Sequence, residues 1–511
     1  MELELKKESF DAYESGGEVT LTQEETTETI VPDYCPDVAR IIETNGAVFL
    51  HSRELRGGRA EVTGSVRMTV VYAPEEEGGV RTLEYAIPFT VESDHRALAD
   101  CSCLTAEVST EFLETRMLNP RKLFSHCKLV SRLIGYRKAP VTYCRDAEAE
   151  PDCCLEKRQE QQHGVFLTHI GEKDFSFSQE LPLNQSREGA AELLTSQVYG
   201  AVTETKVVGG KLLFQGAFTV RTLYRTESGR CCSCCGELPF SQVMDVEGAG
   251  EEAEATVQLQ LTGCDVQLDG GDDGHLATVN LYCHATALLR EERELTLLVD
   301  LYSTAYETTY EAETLPLTCY RETLERRQSA REVLEIGVVA DAILALSVTC
   351  GPVSLCQEGK SVTLRTGAMV HVLYQDEGGS PLSAERCVDV SLQLELPENC
   401  RLSAHAFCPE EVQGTLVDQG IEVRFQVLFT VEAATHQKRV CIARAELDRE
   451  HPHDGAGSPS LVLRCLGEQE QLWDLAKAYN TNIASILAAN QLEGESGLPR
   501  EKLLLIPRKR A

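Results

Sequence analysis

Three stretches of the chain alternate apolar and polar residues within the same punctuation. Each opens at a glycine, alternates up to a tyrosine, and closes in an acidic-glycine turn: Gly57–Gly79, Gly209–Gly229 and Gly359–Gly379. Glycine and tyrosine stand 15 residues apart in all three, as Gly57–Tyr72, Gly209–Tyr224 and Gly359–Tyr374. A second glycine lies eight residues before the tyrosine in two of them, Gly64 and Gly216. Upstream, Gly46-Ala47-Val48, Gly200-Ala201-Val202 and Gly351-Pro352-Val353 form another shared cue. Val66, Met68, Val70 and Tyr72 fall on one face, as do Ala368, Val370, Val372 and Tyr374, which is the period of a half-buried strand. With turn signals on both sides, each block predicts a β-meander or hairpin series. Three agreeing spacings predict three homologous β-rich domains of about 120–150 residues each.

The segments between the repeats read differently. Arg145–Gly164 is polar and charged and predicts a linker. A short bridge near Thr318–Gln328 joins the second and third domains, and Leu324–Leu334 suits a short helix. Glu450–Pro459, with its Gly, Pro and His, predicts a flexible linker. Beyond it the pattern changes. Leu461–Leu466 reads as a short strand. Leu472, Leu475, Ala476 and Tyr479 recur at helical spacing, so Gln471–Tyr479 is an amphipathic helix. Thr481 or Asn482 can cap a second helix with Ile483, Ile486, Leu487 and Asn490 on one face. Leu503–Ile506 is a closing strand stopped by Pro507. The fold class is therefore mainly β. The divisions are 1–145, 165–318 and 322–448 for the β-domains, 449–459 for a linker, and 460–508 for a small βααβ module.

Charge adds to this picture. The 511 residues carry 81 acidic against 48 basic side chains, a net of −33. Nucleic-acid affinity comes mainly from Lys and Arg displacing counterions, so a nucleic-acid partner is excluded. From Ser460 to Ala511 there are seven basic and six acidic residues, about +1, which leaves about −34 on the first 459. An acidic body and a near-neutral tail point to two jobs. The opening Met1–Phe10 has no basic start followed by an apolar run, and no stretch is apolar enough to span a membrane. A cytoplasmic location is expected, and with it thiols rather than disulfides for the 21 cysteines.

The tail resembles a LysM domain. Leu472-Trp473-Asp474-Leu475-Ala476-Lys477-Ala478-Tyr479 matches that family's first helix, Ala488-Ala489-Asn490-Gln491-Leu492 the end of its second, and Leu503-Leu504-Leu505-Ile506-Pro507 its closing strand. The resemblance implies a groove for N-acetylglucosamine glycans between the first turn and the loop before the last strand. Its candidate binding residues are Leu461, Gly467, Glu468, Gln469, Trp473, Asn490, Leu492 and Arg500. Two departures fall on that groove. The turn Gly467–Gln471 is longer than the family's, and Arg500 replaces the glycine that lets backbone approach sugar. A protein partner is the competing expectation. Trp473, the single tryptophan, is either a binding anchor or a core residue.

Before the first repeat stands Val31-Pro32-Asp33-Tyr34-Cys35-Pro36-Asp37-Val38-Ala39-Arg40-Ile41-Ile42. Its two Pro-Asp pairs followed by Val38, Ile41 and Ile42 suit one short capped helical turn. This segment resembles the opening signature of the SPOCS domain, and Asn119-Pro120-Arg121-Lys122-Leu123 resembles a second SPOCS element. SPOCS repeats before one LysM domain look like spore-coat morphogenetic proteins of the SipL and SpoVID type. That resemblance implies a structural role in the mother-cell cytoplasm at the forespore outer surface. The implied partners are the coat's basement-layer ATPase and other coat proteins, with peptidoglycan or its lipid-linked precursor as the alternative.

Catalytic chemistry finds little footing. No GxxxxGK[ST], Gly-x-Ser-x-Gly or His-Glu-x-x-His motif occurs, so no enzyme, cofactor or metal is expected. Carboxylate runs such as Glu75–Glu77 read as solvated turns. The exception is Cys231-Cys232-Ser233-Cys234-Cys235. Three readings stay open for these thiols: a hairpin edge without function, cross-linking in a maturing coat, and zinc shared with a distant ligand.

Overall fold

The computed structural model describes residues 2–75, 79–183, 188–269, 274–408, 412–418, 420–453, 459–465, 470–492 and 503–508. In the first repeat β1 (Glu4–Phe10) and β2 (Tyr13–Ile30) lead to a meander of β3 (Val38–Arg56), β4 (Arg59–Pro74) and β5 (Arg81–Ser93). Then come β6 (Cys103–Asn119), β7 (Lys122–Lys138) and β8 (Val141–Glu148). The second runs through β9 (Leu155–Pro182), a meander of β10 (Ala190–Val208), β11 (Lys211–Thr226) and β12 (Cys231–Asp245), and β13 (Glu254–Leu268) and β14 (Leu276–Ser303). The third comprises β15 (Tyr306–Glu335), β16 (Ala340–Cys350), β17 (Ser354–Glu358), β18 (Ser361–Asp376), β19 (Pro381–Glu395), β20 (Arg401–Phe407), β21 (Gln413–Val417) and β22 (Gly420–Pro452). Last is the module: β23 (Leu461–Cys465), α1 (Leu472–Ala478), α2 (Ile483–Ala489) and β24 (Leu503–Pro507).

The recurring Gly–Tyr spacing is the length of each meander's central strand. Arg56 pairs with Arg59 and Val208 with Lys211, so Gly57-Gly58 and Gly209-Gly210 are two-residue hairpin turns with positive φ at both positions. The second glycine answers to packing. A Cβ on Gly64 would lie 2.5 Å from the Phe49 carbonyl oxygen and from the Phe89 ring, and one on Gly216 would lie 2.0 Å from the Ala201 carbonyl oxygen. Both sit where the neighbouring strand bulges. In the third repeat Thr366 occupies this place. There the neighbouring strand breaks between β16 and β17, and the Thr366 hydroxyl donates to the Gly351 carbonyl (2.8 Å).

Each domain closes non-locally. The strand entering it pairs antiparallel with the strand leaving it, β2 with β7, β9 with β14 and β15 with β22, and on the far side of the leaving strand lie β6, β13 and, in the third domain, both β20 and β21. The resulting arrays β2-β7-β6 and β9-β14-β13, joined edge to edge into one six-stranded sheet by the pair Tyr13–Leu167, and β15-β22-β20 each pack on a meander. In the first domain the core joins Val62, Val66 and Met68 of β4 to Cys127, Leu129 and Leu133 of β7.

The three sandwiches meet around a shared hub. Val71, Leu223 and Leu373, the residues just before the three repeat tyrosines, point away from their own cores and pack together with Ile42, Leu194 and Leu344. At about 1.5–3 kcal/mol per buried aliphatic side chain, this cluster is a major term in domain association. An arginine bridges each interface: Arg53 to Thr286 (3.1 Å), Arg132 to Ser403 (3.2 Å) and Arg321 to Glu254 (3.0 Å). Below the sandwiches the entering and leaving strands continue as three two-stranded ribbons. These are β1–β8, the first part of β9 on the last part of β14, and the first part of β15 on the last part of β22. They form a stalk around Leu3, Cys144, Leu298, Leu301, Ile442 and Leu447.

Several sequence expectations are corrected here. Leu324–Leu334 is strand, not helix, because β15 pairs residue by residue with β22, and that pairing overrides local propensity. Val38–Ile42 is also strand. Two bulges, at Val38/Arg40 and Ile41/Glu43, insert extra residues and give apolar positions a helix-like spacing. Arg145–Gly164 is not a free linker but runs through β8 and the start of β9 into the stalk. Residues 318–322 lie inside β15, and 449–452 inside β22; residues 454–458 of the expected C-terminal linker lie outside the described residues.

The packing at Gly216 predicts that Gly216→Ala lowers stability by roughly 1–3 kcal/mol, since the added methyl meets backbone that cannot yield. At the open turn position Gly209, Asn is expected to cost far less, because Asn tolerates a left-handed conformation. Thermal melts of the two variants check the contrast.

Candidate functional site: a clamped C-terminal module and a locked loop

The module folds as a βααβ unit. Asn482 caps α2, its side chain accepting from the Ser485 backbone N–H (2.8 Å). Leu472, Leu475, Ala476, Ile486, Leu504 and Ile506 are its core. Asn490 is spent internally. Its amide nitrogen donates to the Ile486 carbonyl (2.8 Å) and the Leu505 carbonyl (2.7 Å), while its oxygen accepts from the Leu505 N–H (2.8 Å). Leu492 packs on the same core. Gly467, Glu468, Gln469 and Arg500 lie outside the described residues.

Trp473 joins the module to the stalk. Its indole N–H donates to Asp300 Oδ2 (2.7 Å), and its ring meets Tyr302 edge-on at a centroid distance of 5.0 Å. Lys477 donates to Asp300 Oδ1 (2.6 Å), and the Tyr302 hydroxyl donates to the Thr481 carbonyl (2.8 Å). Trp473 is only 8% exposed. Asp300, at the end of the second domain's exit strand, thus holds two side chains of one helix. Burial alone would raise its pKa, but the bonds from Lys477 and Trp473 outweigh burial and hold the carboxyl below its usual range. Tyr302 is pushed up by burial.

Of the outer face of the module's sheet, the sequence reading named Leu461 as a binding candidate but neither Leu463 nor Leu503. Leu461, Leu463 and Leu503 are all at least half exposed there. The signal was present: both strands place apolar residues on both faces, where a half-buried strand alternates with polar residues.

The second feature joins two distant motifs. Arg121 of the Asn119–Leu123 segment reaches into the loop between β2 and β3. It donates to the carbonyls of Cys35 (2.7 Å) and Val31 (2.8 Å) and to the carboxylates of Asp37 (3.0 Å) and Asp33 (3.2 Å). Backbone bonds from Val31 N–H to the Arg121 carbonyl and from Val38 N–H to the Pro120 carbonyl (both 2.9 Å) complete the knot. This locked loop holds Tyr34 out at 88% exposure, beside exposed Ile30 and Leu118.

The cysteine-rich segment is β12, on the edge of its meander sheet. Cys232 is buried in the sandwich and Cys234 packs against the same core, while Cys231 faces the hub. Burial pushes the Cys231 thiol up to about 11. Alternation sends neighbouring thiols to opposite faces, and among the described residues no His, Cys, Asp or Glu group is arranged to hold a metal. A shallow cavity of about 400 Å³ on the stalk is lined by Glu8, Phe10, Tyr143 and Arg293. Glu8 accepts there from Tyr143 (2.5 Å) and Arg145 (2.7 Å), which lowers Glu8, while burial and that bond push Tyr143 up to about 12. Neither group is poised to exchange a proton near neutrality.

The family model described as SipL, SPOCS domain matches the chain twice, at residues 37–115 and 190–269. Both matches begin at the meander; the first ends within β6 and the second just past the end of β13. The chain is thus similar to the SPOCS domain over part of its first two sandwiches, while the third sandwich and the C-terminal module lie outside the matches. No curated protein matches the chain. Among the described residues, no helix is long and apolar enough to cross a membrane.

The depressed Asp300 pKa fixes a direction for pH dependence. Its contribution to the clamp is complete above the ordinary Asp value of about 3.9 and is lost as pH falls through the lowered value. Emission from Trp473, the single tryptophan, is therefore expected to stay constant from neutral pH to about 4 and to move red only below it. Asp300→Asn is expected to move it red already at neutral pH. Alkylation of the native protein, followed by mass spectrometry, is expected to label exposed Cys154, Cys356 and Cys465 before Cys231 or Cys232.

Proposed function

We propose that the protein is a non-catalytic scaffold in spore-coat assembly. Its C-terminal module recruits or anchors the coat's basement-layer ATPase at the forespore surface. Support for the sporulation role comes from the two SPOCS matches. The observation that carries the adaptor reading is the clamp on Trp473: Asp300 and Tyr302 fix the module on the stalk, so a partner bound to it is held at a set position relative to three rigid β-domains. Linked weak contacts on such a frame gain avidity through effective concentration. In this reading the partner meets the loop end of the module, where Gly467, Glu468, Gln469 and Arg500 stand in the sequence. The segment Cys231–Cys235 is then a site for cross-linking as the coat matures, once edge strand β12 opens.

The alternative is a glycan sensor that takes peptidoglycan or its lipid-linked precursor in the same groove. It is favoured by the βααβ order of the module.

Full-length chain and a chain ending at Pro459 are to be tested for retention of the purified ATPase and, in parallel, of peptidoglycan fragments. The full chain is expected to hold the ATPase and the shortened chain to lose it, with no glycan retained by either. Retention of glycan without ATPase would overturn the recruiter reading in favour of the sensor.

A further inference from the structure

The junction of the three β-domains buries a guanidinium group that the fold leaves without a partner. Arg290 stands on β14 between Glu254 of β13 and Leu167 of β9, in the row where Leu167 meets Tyr13 of β2. Side chains alternate along a strand, and Leu289, one residue earlier, lies in the second domain's core. Arg290 is therefore on the outer face of the six-stranded sheet. Arg132 and Tyr136 of β7 reach the same face from the first domain, because they alternate with the core residues Leu129 and Leu133. The third domain packs onto this face. Arg321 of β15 donates to Glu254 (3.0 Å) and to the Thr256 hydroxyl (3.5 Å) of β13.

The carboxylates at this junction are already engaged. Arg321 holds Glu254 (3.0 Å) and Glu432 of β22 (3.5 Å), and Arg132 holds Glu18 (2.6 Å), while Glu107 faces His405 (3.9 Å). Among the described residues, Arg290 Nη1 is buried with no acceptor. Burial and the neighbouring Arg321 charge both lower the Arg290 pKa, against the pull of Glu432, Tyr136 and Glu254. Arginine keeps its proton in a protein, so the charge remains. A buried charge without a partner costs a fold heavily, and here a second cation adds to that cost. Tyr136 is 7% exposed. Burial pushes its pKa up, with Arg290 and Arg132 acting the other way, so its hydroxyl stays protonated and can donate.

Each domain thus brings one donor group to the junction: Tyr136, Arg290 and Arg321. Guanidinium groups match the oxygens of a tetrahedral oxyanion in pairs. We propose that this junction is an anion site that takes one inorganic phosphate between Arg290 and Arg321, with the Tyr136 hydroxyl as a third donor. The phosphate supplies the charge that Arg290 lacks, and its oxygens are shared by all three domains, so occupancy strengthens their association. The Arg321 side chain is 6% exposed. Groups this enclosed suit a free anion and not the phosphate of a nucleotide. The site includes no residue of the C-terminal module, so it stands apart from ATPase or glycan binding.

Equilibrium dialysis of the full-length protein against radiolabelled inorganic phosphate tests it, with thermal melts in parallel at matched ionic strength. The native chain is expected to bind about one phosphate, and to melt at a temperature that rises with phosphate and levels off as the site fills. Arg290→Met keeps the unbranched stem and removes the charge. This variant is expected to bind less than about a tenth as much phosphate and to lose the rise in melting temperature. In phosphate-free buffer it is expected to melt no lower than the native chain, because no unpaired charge is left to bury. AMP at the same concentration is expected to leave the phosphate bound. The proposal is overturned if the native chain binds no phosphate, if Arg290→Met binds as much, or if AMP displaces it. It is also overturned if Arg290→Met melts well below the native chain without phosphate, since Arg290 would then have a partner within the fold. A rise of equal size in both chains, the mark of phosphate excluded from the protein surface, overturns it as well.

Discussion

The architecture depends on one pairing made three times: the strand entering each β-domain lies antiparallel to the strand leaving it. In the second and third domains the paired strands are 28 and 28, then 30 and 33 residues long, far more than one sandwich face needs. Their surplus becomes the stalk. In the first domain the same two paths are interrupted at Asp11-Ala12 and Ala139-Pro140, so β1 and β8 stand as a separate ribbon, yet they take the equivalent place. Stalk and domains are therefore one construction. A change that breaks an entry–exit pair costs both the sandwich above and its third of the stalk below. The ends of the chain are drawn in as well: the Leu3 N–H donates to the Ala445 carbonyl (2.9 Å), so stalk assembly joins the first strand to the last long one. Contacts this distant in sequence close slowly, since loop-closure entropy precedes their reward.

What could be read from the sequence follows from this geometry. The central meander strand of each domain is bounded by its own turns, so its glycines, its alternation and its tyrosine are all local. Gly57, Gly209 and Gly359 mark it without any knowledge of partners. The entry and exit strands carry no such signal. Half of β9 faces a stalk of three ribbons and half a sandwich, so Leu155–Gly164 looks merely polar, and Leu324–Leu334 reads as helix until β22 is laid against it. Val38, Ile41 and Ile42 mislead for a related reason: a bulge is invisible in one strand, because it exists only relative to the partner. The C-terminal module was legible almost to the residue, caps included, since short helices and tight loops are local. Its mode of attachment was not. Nothing near Trp473 in sequence announces Asp300, 173 residues earlier.

The three domains share a frame but not their ends. Only the first carries the Pro-Asp loop, where an arginine of the following hairpin, Arg121, reaches back to lock it. Arg121 ties this loop to the hairpin through two backbone carbonyls and two carboxylates. In the third domain, the corresponding end exposes Val338 and Val339 between β15 and β16 without such a lock. A three-domain body with one distinct tip is polar in the directional sense, even though its interior is close to threefold.

The clamp at Asp300 completes the same logic at the other end. A small module on a Gly- and Pro-containing tether would sample many orientations, and a partner bound to it would learn nothing about where the body lies. One carboxylate that accepts from both Trp473 and Lys477, backed by the Tyr302 ring and hydroxyl, removes that freedom with contacts from a single turn of helix. The side of α1 that would otherwise offer the tryptophan as an anchor is used up in doing so. Among the described residues, what the module still presents is the leucine face of its sheet. The placement of Trp473 therefore takes one side of α1 out of any recognition and holds the module on the stalk.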